Sequence, residues 1–522
     1  YMKNITLLKA KVGILAVSCL SITALFACVD KDARSDLNPN LPTDQAQNGD
    51  FGDQGGGSEQ GLNFPVFDDG VLAFPGAEGY GKNVTGARAG EGREIYHVTN
   101  LNDAGPGSFR DAVSKPWRII VFDVSGVIKL SSNPIVLKSN QTILGHTAPG
   151  DGIVLYNGRV SASGAQNLIV RYLRIRMGAA YPSELDACGI ANGANMIFDH
   201  CSMTWGKDEC FSINPDGKGT APKNITIQNS IIGQGLQNHS CGGLMQTDIS
   251  NGCTIFRNLY IDNKTRNPKV KGLNQFVNNV VYNWGSGAAY NMSGDSQGKS
   301  ETTIENNYFI VGPCHNWQNV AQPDGSIKTE YVPMNPARPF TGGNGNFNTY
   351  CKGNYYDNNK DGALDGVEIT ETNWSQYCSG SPVFLEARSD LHPIIRSQKS
   401  AQEAYEWVVE KVGAYLPVRD EVDKYLMDEL ISLGRKGTII QDERKAEQFP
   451  LGGPGTINAA QKPLDSDNDG MPDAFEDAWG LDKYDSTDAV KEAKNGYLNI
   501  ENYALSLEYP DEYEYELNKN KQ

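Results

Sequence analysis

Leu168-Ile-Val-Arg-Tyr172-Leu opens a series of short apolar segments that recurs through the middle of the chain. Counted at the fifth residue of each of six segments, the steps are 28, 29, 29, 21 and 28 residues. Strand-like segments at a period in the twenties are typical of stacked coils. The other segments are Met196-Ile-Phe-Asp-His200-Cys, Ile225-Thr-Ile-Gln-Asn229-Ser, Thr254-Ile-Phe-Arg-Asn258-Leu, Gln275-Phe-Val-Asn-Asn279-Val and Thr303-Ile-Glu-Asn-Asn307-Tyr.

This repeat predicts an all-β fold, a right-handed parallel β-helix. Each coil would bury its inward side chains on the next coil, and stacked Asn side chains would satisfy backbone groups at the turns. A β-sandwich is the alternative, but its hairpin turns come roughly every 8 to 12 residues. The longer, regular period favours the β-helix.

The pattern becomes helical beyond residue 400, where apolar residues fall three and four positions apart. We predict two peripheral helices, at 401–412 and 419–433, on the outside or at an end of the β-helix. Gly452-Gly-Pro-Gly455 then marks a boundary. The predicted domains are a β-helix with its flanking helices at 73–450 and a small helical calcium-binding module at 456–522.

The first residues predict a processing signal that is not part of the fold. Three lysines precede an apolar run from Val12 to Leu25, which is short for a membrane span but suits a secretory signal. Because the run leads to Cys28, we predict a lipoprotein signal peptide at 1–27, lipidation at Cys28 and a flexible tether at 28–72. The expected location is the outer membrane of a Gram-negative bacterium; an ordinary signal peptide with an incidental cysteine is the alternative.

The overall charge restricts the partners of this protein. A formal charge of -17 and a pI near 4.9 argue against nucleic-acid binding, which needs positive potential. A polyanionic substrate would need a local cationic site or a bridging metal. The cysteines form no CxxC pair, so zinc is not predicted. Two of the three residues Cys314, Cys351 and Cys378 could form a disulfide in an oxidising compartment, and the sequence does not determine which two.

Two segments match the calcium loop of EF-hands, in which oxygen ligands recur at fixed positions around a glycine. The stronger match, residues 465–476, runs into a helical stretch, and its acidic side chains would repel one another without a cation. The weaker match, residues 357–368, follows a strand-like segment, so an ordinary polar turn is the alternative. The predicted ligands are Asp465, Asp467, Asp469, Asp473 and Glu476 in the first loop and Asp357, Asn359, Asp361 and Glu368 in the second.

A second group of acidic residues lies in the centre of the chain, between Asp186 and Glu209. Hard carboxylate oxygens suit Ca²⁺ rather than a soft metal. The cationic segment Arg266-Asn-Pro-Lys269-Val-Lys271 follows downstream. Acids and cations in this order indicate a calcium-assisted enzyme that removes a proton from carbon.

Six further segments between about residues 74 and 440 form a recognisable set. They are Phe74-Pro-Gly-Ala-Glu-Gly-Tyr-Gly81, 98–111, 122–128, 145–152, Phe198-Asp-His-Cys-Ser202 and Gly413-Ala-Tyr-Leu-Pro-Val-Arg-Asp420. Together these segments resemble the pectate lyases of polysaccharide lyase family 1. The resemblance implies a β-helix and a Ca²⁺-dependent lyase of α-1,4-linked polygalacturonate.

The 465–476 loop and its degenerate companion at 491–502 resemble calcium modules of the dockerin or thrombospondin type 3 kind.

The lyase resemblance also implies the calcium ligands. These are Asp186, Asp208 and, on the same strand face as Asp186, Glu184. Better-known members carry a further acid where this chain has Ser212. Two alternatives follow: Glu209, adjacent to Asp208, substitutes for that acid, or the site binds calcium more weakly.

Arg266 matches the catalytic arginine of the family. It would take a proton from carbon 5 of a uronate, after which the glycosidic oxygen on carbon 4 leaves. Arginine is a poor base in water because of its high pKa, so this role requires a desolvated, cation-crowded site. Lys269 and Lys271 are expected to hold neighbouring uronate groups, and His239 to bind a carboxylate or assist the leaving oxygen.

Two other functions remain as alternatives. A glycoside hydrolase on the same fold would use paired acids and water and would form no double bond. A non-catalytic lipoprotein could display the β-helix as a glycan-binding adhesin. The acids beside an Arg/Lys strip favour elimination, with a pectic polysaccharide as partner, no nucleic acid, and a monomeric protein.

Overall fold

The computed structural model describes residues 70–520, except 132, 286–288, 293–297 and 336–337. The predicted signal peptide, the lipidation site Cys28 and the tether up to residue 69 lie outside the described residues. Within the described part, no helix is long and apolar enough to cross a membrane.

The chain winds through three sheets in turn, and we name them sheets 1, 2 and 3. Strands from successive coils pair in parallel and in register; Met196, for example, pairs with Leu168 on one side and Ile225 on the other. An antiparallel strand, Val367–Ile369, ends sheet 2. The predicted parallel β-helix is therefore confirmed.

Sheet 1 has eleven strands, namely Glu94–Val98, Arg118–Phe122, Gln141–Leu144, Gln166–Arg171, Ala194–Asp199, Lys223–Gln228, Gly252–Phe256, Leu273–Val277, Ser300–Glu305, Phe347–Lys352 and Val383–Phe384. Sheet 2 has ten, namely Gly126–Lys129, Ile153–Tyr156, Arg174–Arg176, Ser202–Thr204, Ile231–Gly233, Leu259–Ile261, Val280–Tyr282, Tyr308–Ile310, Asn354–Asp357 and Val367–Ile369. Sheet 3 has eight, namely Ile135–Val136, Val160–Ser161, Cys188–Ile190, Phe211–Ile213, Leu244–Gln246, Lys269–Lys271, Tyr290–Met292 and Phe340–Gly342. A separate antiparallel hairpin pairs His315–Ala321 with Ile327–Pro333.

An asparagine ladder connects the coils at the turn between sheets 1 and 2. The Oδ1 atoms of Asn258, Asn279, Asn307 and Asn354 each accept a hydrogen bond from a backbone N–H of the preceding coil, at 2.7 to 3.1 Å. All four side chains are fully buried. Because buried N–H groups are costly to leave unpaired, this ladder stabilises the turns as predicted.

From the fourth segment onward, the positions counted from the sequence lie one residue after the turn residues with positive φ. Asn229 aligns with Arg257, since Gln228 pairs with Phe256. Both residues have positive φ, 54° and 57°, as the turn requires. Asn258 belongs instead to the ladder position that follows, so the corrected steps between the positive-φ residues at 172, 200, 229, 257, 278 and 306 are 28, 29, 28, 21 and 28.

Short helices flank the strands. The two predicted peripheral helices are present, with Ser400 and Glu403 forming a capping box and Asp420 capping the second helix. Both pack against the outer face of sheet 2. The α-helices are Phe109–Ala112, Trp374–Tyr377, Ala401–Lys411, Glu421–Ile431, Asp473–Trp479, Asn499–Glu508 and Pro510–Asn520, and the 3₁₀ helices are Gly79–Gly81, Gly86–Ala89 and Gly145–Thr147.

The last three helices cover the outer face of sheet 1. Met471, Phe475 and Trp479 share one apolar cluster with Val121 and Ile169, which point outward from the sheet. The described part of the predicted module, residues 456–520, therefore packs on the β-helix through this cluster.

The eight cysteines of the described residues are all free and buried. They behave as small apolar side chains, and the disulfide left open above does not form in this structure.

Candidate active site

Sheet 3 brings the central acids and Arg266 together. Asp186 and Glu209 each precede a strand by two residues, and the strands pair in register. Glu209 pairs with Cys241, and Cys241 with Thr265, through isolated parallel bridges. Neighbouring strands lie about 4.8 Å apart, so Arg266 comes beside acids that are far away in the sequence.

The acids form one connected group. Arg266 Nη1 contacts a carboxylate oxygen of Glu209 and lies 3.8 Å from Asp208 Oδ1. The same Asp208 oxygen lies 2.8 Å from Nδ1 of His239. Ligand atoms of Asp208, Glu209 and Cys241 lie within 4.8 Å of one another. The structure thus brings together four predicted residues: Asp208, Glu209, His239 and Arg266.

Burial and mutual repulsion perturb these carboxyl groups. Burial, followed by the neighbouring Asp186 and Asp208, raises the pKa of Glu209 to about 8. Burial also raises the pKa of Asp186, despite the opposing effect of hydrogen bonding to Glu209 and of the Arg159 charge. A compact group of acids with raised pKa values is typical of a site that binds a cation or handles protons.

The environment of Arg266 has two opposing effects. Its burial would lower the pKa of the guanidinium, but Cys241 and the acids Glu209 and Asp208 outweigh it, and the net pKa is raised. Its side chain is 34% exposed. Arg266 is therefore accessible to a ligand while it pairs with the acids.

Arg159 was not predicted as a site residue. Its Nη2 lies 3.8 Å from Asp186 Oδ2, so the acids have an arginine on both sides along sheet 3. The signal was available, because Val160, the next residue, pairs with Cys188 one coil before the acids. Extending the repeat one coil upstream of Asp186 places Arg159 immediately before the strand next to the acids.

Other predicted site residues lie around this group. Lys269 and Lys271 are half-buried on a strand whose middle residue, Val270, points into the core. Alternation along a strand places both lysines on its outer face. Glu184 is exposed and is not among the converging ligand atoms, so its role as a ligand stays a prediction.

The 465–476 loop also brings acids together. Ligand atoms of Asp465, Asp467 and Asp469 lie within 4.8 Å of one another. Glu476 joins Asp469 in a second such group. Asp473, also a predicted ligand, instead accepts hydrogen bonds from the backbone N–H and hydroxyl of Ser466, at 2.7 and 2.8 Å.

The 357–368 loop is arranged differently. Glu368 lies on the exposed antiparallel strand Val367–Ile369, not on a helix. The Asn359 side chain donates to Asp361 and accepts from its backbone N–H, while Asp357 is buried next to the turn. The converging acid groups of the described residues do not include this loop, so calcium there stays a prediction.

Similarity to known proteins fits this geometry. A family model described as pectate lyase matches residues 75–352, more than half of the chain. The chain belongs to the pectate lyase family. A relative from Aspergillus fumigatus, named "Probable pectate lyase C", is 48% identical over 437 residues, 84% of this chain and 94% of the relative.

Two further similarities extend the comparison. A "Probable pectate lyase C" from Aspergillus flavus is 47% identical over 448 residues, 85% of this pectate lyase family member and 96% of the relative. The crystal structure of jun a 1, the major allergen from cedar pollen, is 17% identical with a TM-score of 0.44, covering 64% of this chain and 92% of that one.

The relatives named "Probable pectate lyase C" contradict the predicted location. They come from Aspergillus and related fungi, whereas the N-terminal residues predicted a lipid-anchored protein of the Gram-negative outer membrane. The prediction was wrong because a short apolar run ending before a cysteine has too little information to identify a cell envelope.

Proposed function

We propose that this chain is a calcium-dependent pectate lyase that cleaves α-1,4-linked polygalacturonate by β-elimination to unsaturated oligogalacturonides. The observation that supports this most is the contact of Arg266 with Glu209, beside Asp208, between coils that lie two steps apart along sheet 3. The same proposal takes pectic polysaccharide as the partner and a monomer as the acting form.

The acids of the site have the donor chemistry that calcium requires. Asp186, Asp208 and Glu209 offer hard carboxylate oxygens, and Glu209 is buried enough to need a cationic partner. The fourth neighbour, Cys241, is a buried thiol, whose pKa burial raises to about 12, and a neutral thiol is a poor ligand for this hard cation. When bound, Ca²⁺ would hold the substrate carboxylate and stabilise the negative charge that develops on it.

Arg266 is the proposed base. It removes the proton from carbon 5, the electron pair of that C–H bond forms the double bond between carbons 4 and 5, and the glycosidic oxygen leaves carbon 4 with its electrons. An arginine can do this only when its acidic neighbours no longer hold its pKa high. Neutralisation of Asp208 and Glu209 in the working enzyme would meet that condition.

The neighbouring cations are proposed to position the substrate. Lys269 and Lys271 share the outer face of the strand that follows Arg266, where they can pair with successive carboxylates of the polymer. His239, 49% exposed and hydrogen-bonded to Asp208, would bind a carboxylate or donate a proton to the leaving oxygen.

Absorbance of released products tests this proposal. Purified protein is incubated with polygalacturonate, with and without a calcium chelator. We expect ultraviolet absorbance from unsaturated uronides that disappears on chelation. New reducing ends without absorbance would indicate the hydrolase, and binding without cleavage would indicate the adhesin.

We also propose that the 465–476 loop binds a second calcium ion, with a structural role. The convergence of Asp465, Asp467, Asp469 and Glu476 supports this site. It lies in the C-terminal segment that packs on sheet 1, whereas the proposed catalytic acids lie along sheet 3.

A further inference from the structure

Asp488 completes the second acidic group of the C-terminal segment. Its side chain is 5% exposed, and one of its oxygens converges with those of Asp469 and Glu476 to within 4.8 Å. Residue 488 lies outside the loop motif, beyond the helix Asp473–Trp479. The motif position that Asp473 occupies is instead used to hold Ser466.

Several buried oxygens of this group have no partner among the described residues. Both carboxylate oxygens of Glu476, a fully buried residue, accept no hydrogen bond. The same is true of Asp469 Oδ2 and Asp488 Oδ1, whose residues are 3% and 5% exposed. Unpaired buried carboxylates are strongly unfavourable, so the geometry favours a cation between them.

A nearby lysine cannot fill this role. Lys462 Nζ lies 3.5 Å from Asp465 Oδ2, but it also binds Asp123 and Asn468 at the edge of the loop. One ammonium group there leaves both carboxylate oxygens of Glu476 and the Oδ1 atom of Asp488 without a partner among the described residues. Five carboxylates with hard oxygens and flexible geometry suit Ca²⁺.

Apolar residues that pack on sheet 1 lie next to the ligands in the sequence. Met471 is two residues after Asp469, and Phe475 immediately precedes Glu476. Both apolar residues belong to the cluster that includes Val121 of the sheet. Gly470, with φ of 93°, lies so close to the sheet that an added Cβ would be 3.2 Å from Val121 Cγ2.

Asp488 is coupled to the same core on its C-terminal side. The next residue, Ala489, is fully buried in this cluster, and its carbonyl accepts a hydrogen bond from Ile500 at 3.0 Å. The backbone carbonyl of Asp488 accepts a hydrogen bond from the Asn499 side chain, at 2.9 Å. Both donors begin the helix Asn499–Glu508.

That helix is itself joined to the β-helix by buried ion pairs. Glu501 pairs with Arg88 at 3.1 Å, and Glu508 pairs with Arg171 at 2.6 Å. A cation shared between the 465–476 loop and Asp488 would therefore hold the loop, residues 488–489 and this helix together against the β-helix.

We propose that Asp488 is a ligand of the C-terminal calcium ion, together with Asp465, Asp467, Asp469 and Glu476, and that this ion clamps residues 465–508 onto the outer face of sheet 1. This inference rests on the proposed second calcium site. It adds a ligand that the loop motif does not contain and gives the ion a function, stabilisation of the β-helix itself.

The test uses the full chain and Ca²⁺ as the probe. Bound calcium is counted by native mass spectrometry, its affinity is measured by calorimetry, and thermal unfolding is followed with and without a chelator. Asp488→Asn keeps the oxygen that accepts the Asp482 N–H, so the fold can be checked independently by circular dichroism. Glu476→Gln is the positive control, and the exposed Asp477→Asn, on the same helix, is the matched negative control.

We expect wild type to bind two calcium ions. Asp488→Asn and Glu476→Gln should each weaken one of them by at least about ten-fold and lose most of the calcium-dependent rise in Tm. Asp473→Asn and Asp477→Asn should keep both ions. Turnover of Asp488→Asn at saturating calcium and 25 °C should stay within about two-fold of wild type, which corresponds to about 0.4 kcal/mol in the barrier. The reason is that this ion lies on sheet 1, whereas the proposed catalytic acids lie along sheet 3.

Three results would overturn the inference in different ways. Wild-type affinity in Asp488→Asn, with loss in Glu476→Gln, would remove Asp488 from the site and leave the loop intact. Calcium binding without any rise in Tm would remove the clamp. A single ion, lost only in Glu209→Gln, would remove the second site altogether while leaving the proposed lyase unaffected.

Discussion

Arg266 contacts Glu209 across two steps of the sheet 3 ladder, although 57 positions separate them in the sequence. The intermediate residue, Cys241, pairs with Glu209 on one side and with Thr265 on the other. Relative positions are therefore set by backbone pairing of stacked coils rather than by a mobile loop. Such a rigid support is what a pre-organised catalytic site requires.

Replacement of Arg266 should abolish turnover without unfolding the protein. We expect Arg266→Ala to lower kcat by about 10² to 10⁴-fold, the contribution of a positioned base. Arg266→Lys should fail as well, because an ammonium does not reproduce the guanidinium geometry. Product absorbance measures kcat, and an unchanged circular dichroism spectrum is the control. Retention of a tenth of the wild-type rate by either variant would exclude Arg266 as the base.

Replacement of the acids should change the calcium requirement. We expect Asp186→Asn, Asp208→Asn and Glu209→Gln to raise the calcium concentration for half-maximal activity by at least about ten-fold. Glu184→Gln should have a smaller effect, because Glu184 is exposed and outside the converging group. Activity is measured across a calcium titration. An effect confined to Glu184→Gln would show that the ligands lie outside the buried acids.

Removal of a lysine from the outer face of sheet 3 should weaken binding of the polymer. Lys271→Ala is expected to raise KM several-fold with little change in kcat, since a charge that holds the ground state and transition state equally affects binding alone. The rise of KM with salt should also be shallower than in wild type. Lys328→Ala, 71% exposed on the hairpin, is the matched control; an equal effect there would indicate a loss of overall charge instead.

The coils were predictable because their apolar period is long and regular. Inward positions such as Phe198 and Ile227 repeat at one place in each coil and are fully buried. The one-residue displacement at Asn258 was not detectable, because the turn residue and the ladder residue that follows it are both Asn in neighbouring coils. Only the pairing of Gln228 with Phe256 separates the two positions.

The attachment of the C-terminal segment could not be predicted. Ile119, Val121 and Ile197 point outward from sheet 1 and look like ordinary residues of buried strands in the sequence. Their partners, among them Phe475 and Ile500, lie hundreds of residues away. Local patterns identify an apolar face, but they do not identify what covers it. The site shows a related limit, since the acids were predicted from motifs, whereas Arg159 was missed because only the strand register places it beside Asp186.

The asparagine ladder should carry a measurable part of the stability. Asn279→Ala removes the oxygen that accepts hydrogen bonds from the backbone N–H and the side chain of Asn258, at 2.9 and 3.1 Å. The buried backbone N–H of Asn258 is left unpaired, and the carbonyls of Ile255 and Val277 lose the Asn279 amide as a donor, which should cost about 2 to 4 kcal/mol of the free energy of unfolding. Urea unfolding measures this. Asn319→Ala, exposed on the hairpin, should cost less than about 0.5 kcal/mol; equal losses would mean that the ladder is not specific.

A buried acid pair between the β-helix and the helix Glu421–Ile431 should make stability depend on pH. Asp262 and Glu429 face each other, and burial raises the pKa of both, that of Asp262 to about 6. Neither Asp262 Oδ2 nor Glu429 Oε2 has a donor among the described side chains, so the pair needs a shared proton. Both pKa values lie above those of the unfolded chain, about 4. The folded protein therefore binds more protons than the unfolded one, and this stability is present at low pH and lost as pH rises through 6.

We expect the free energy of unfolding, at fixed saturating calcium, to fall between about pH 4 and pH 7 by up to about 1.4 kcal/mol per pH unit for each proton held by the pair. Glu429→Gln supplies an amide N–H in place of the proton, so it should flatten this dependence and stabilise the protein above pH 7. Asp428→Asn, half-exposed on the same helix and paired with Lys436, should leave the slope unchanged. Urea unfolding from about pH 4 to pH 9 measures all three proteins. If the free energy of unfolding of Glu429→Gln falls with pH as steeply as that of wild type, other groups cause the pH dependence. The variant leaves Asp262 as the single carboxyl group of the pair, so no proton can be shared between two carboxylates.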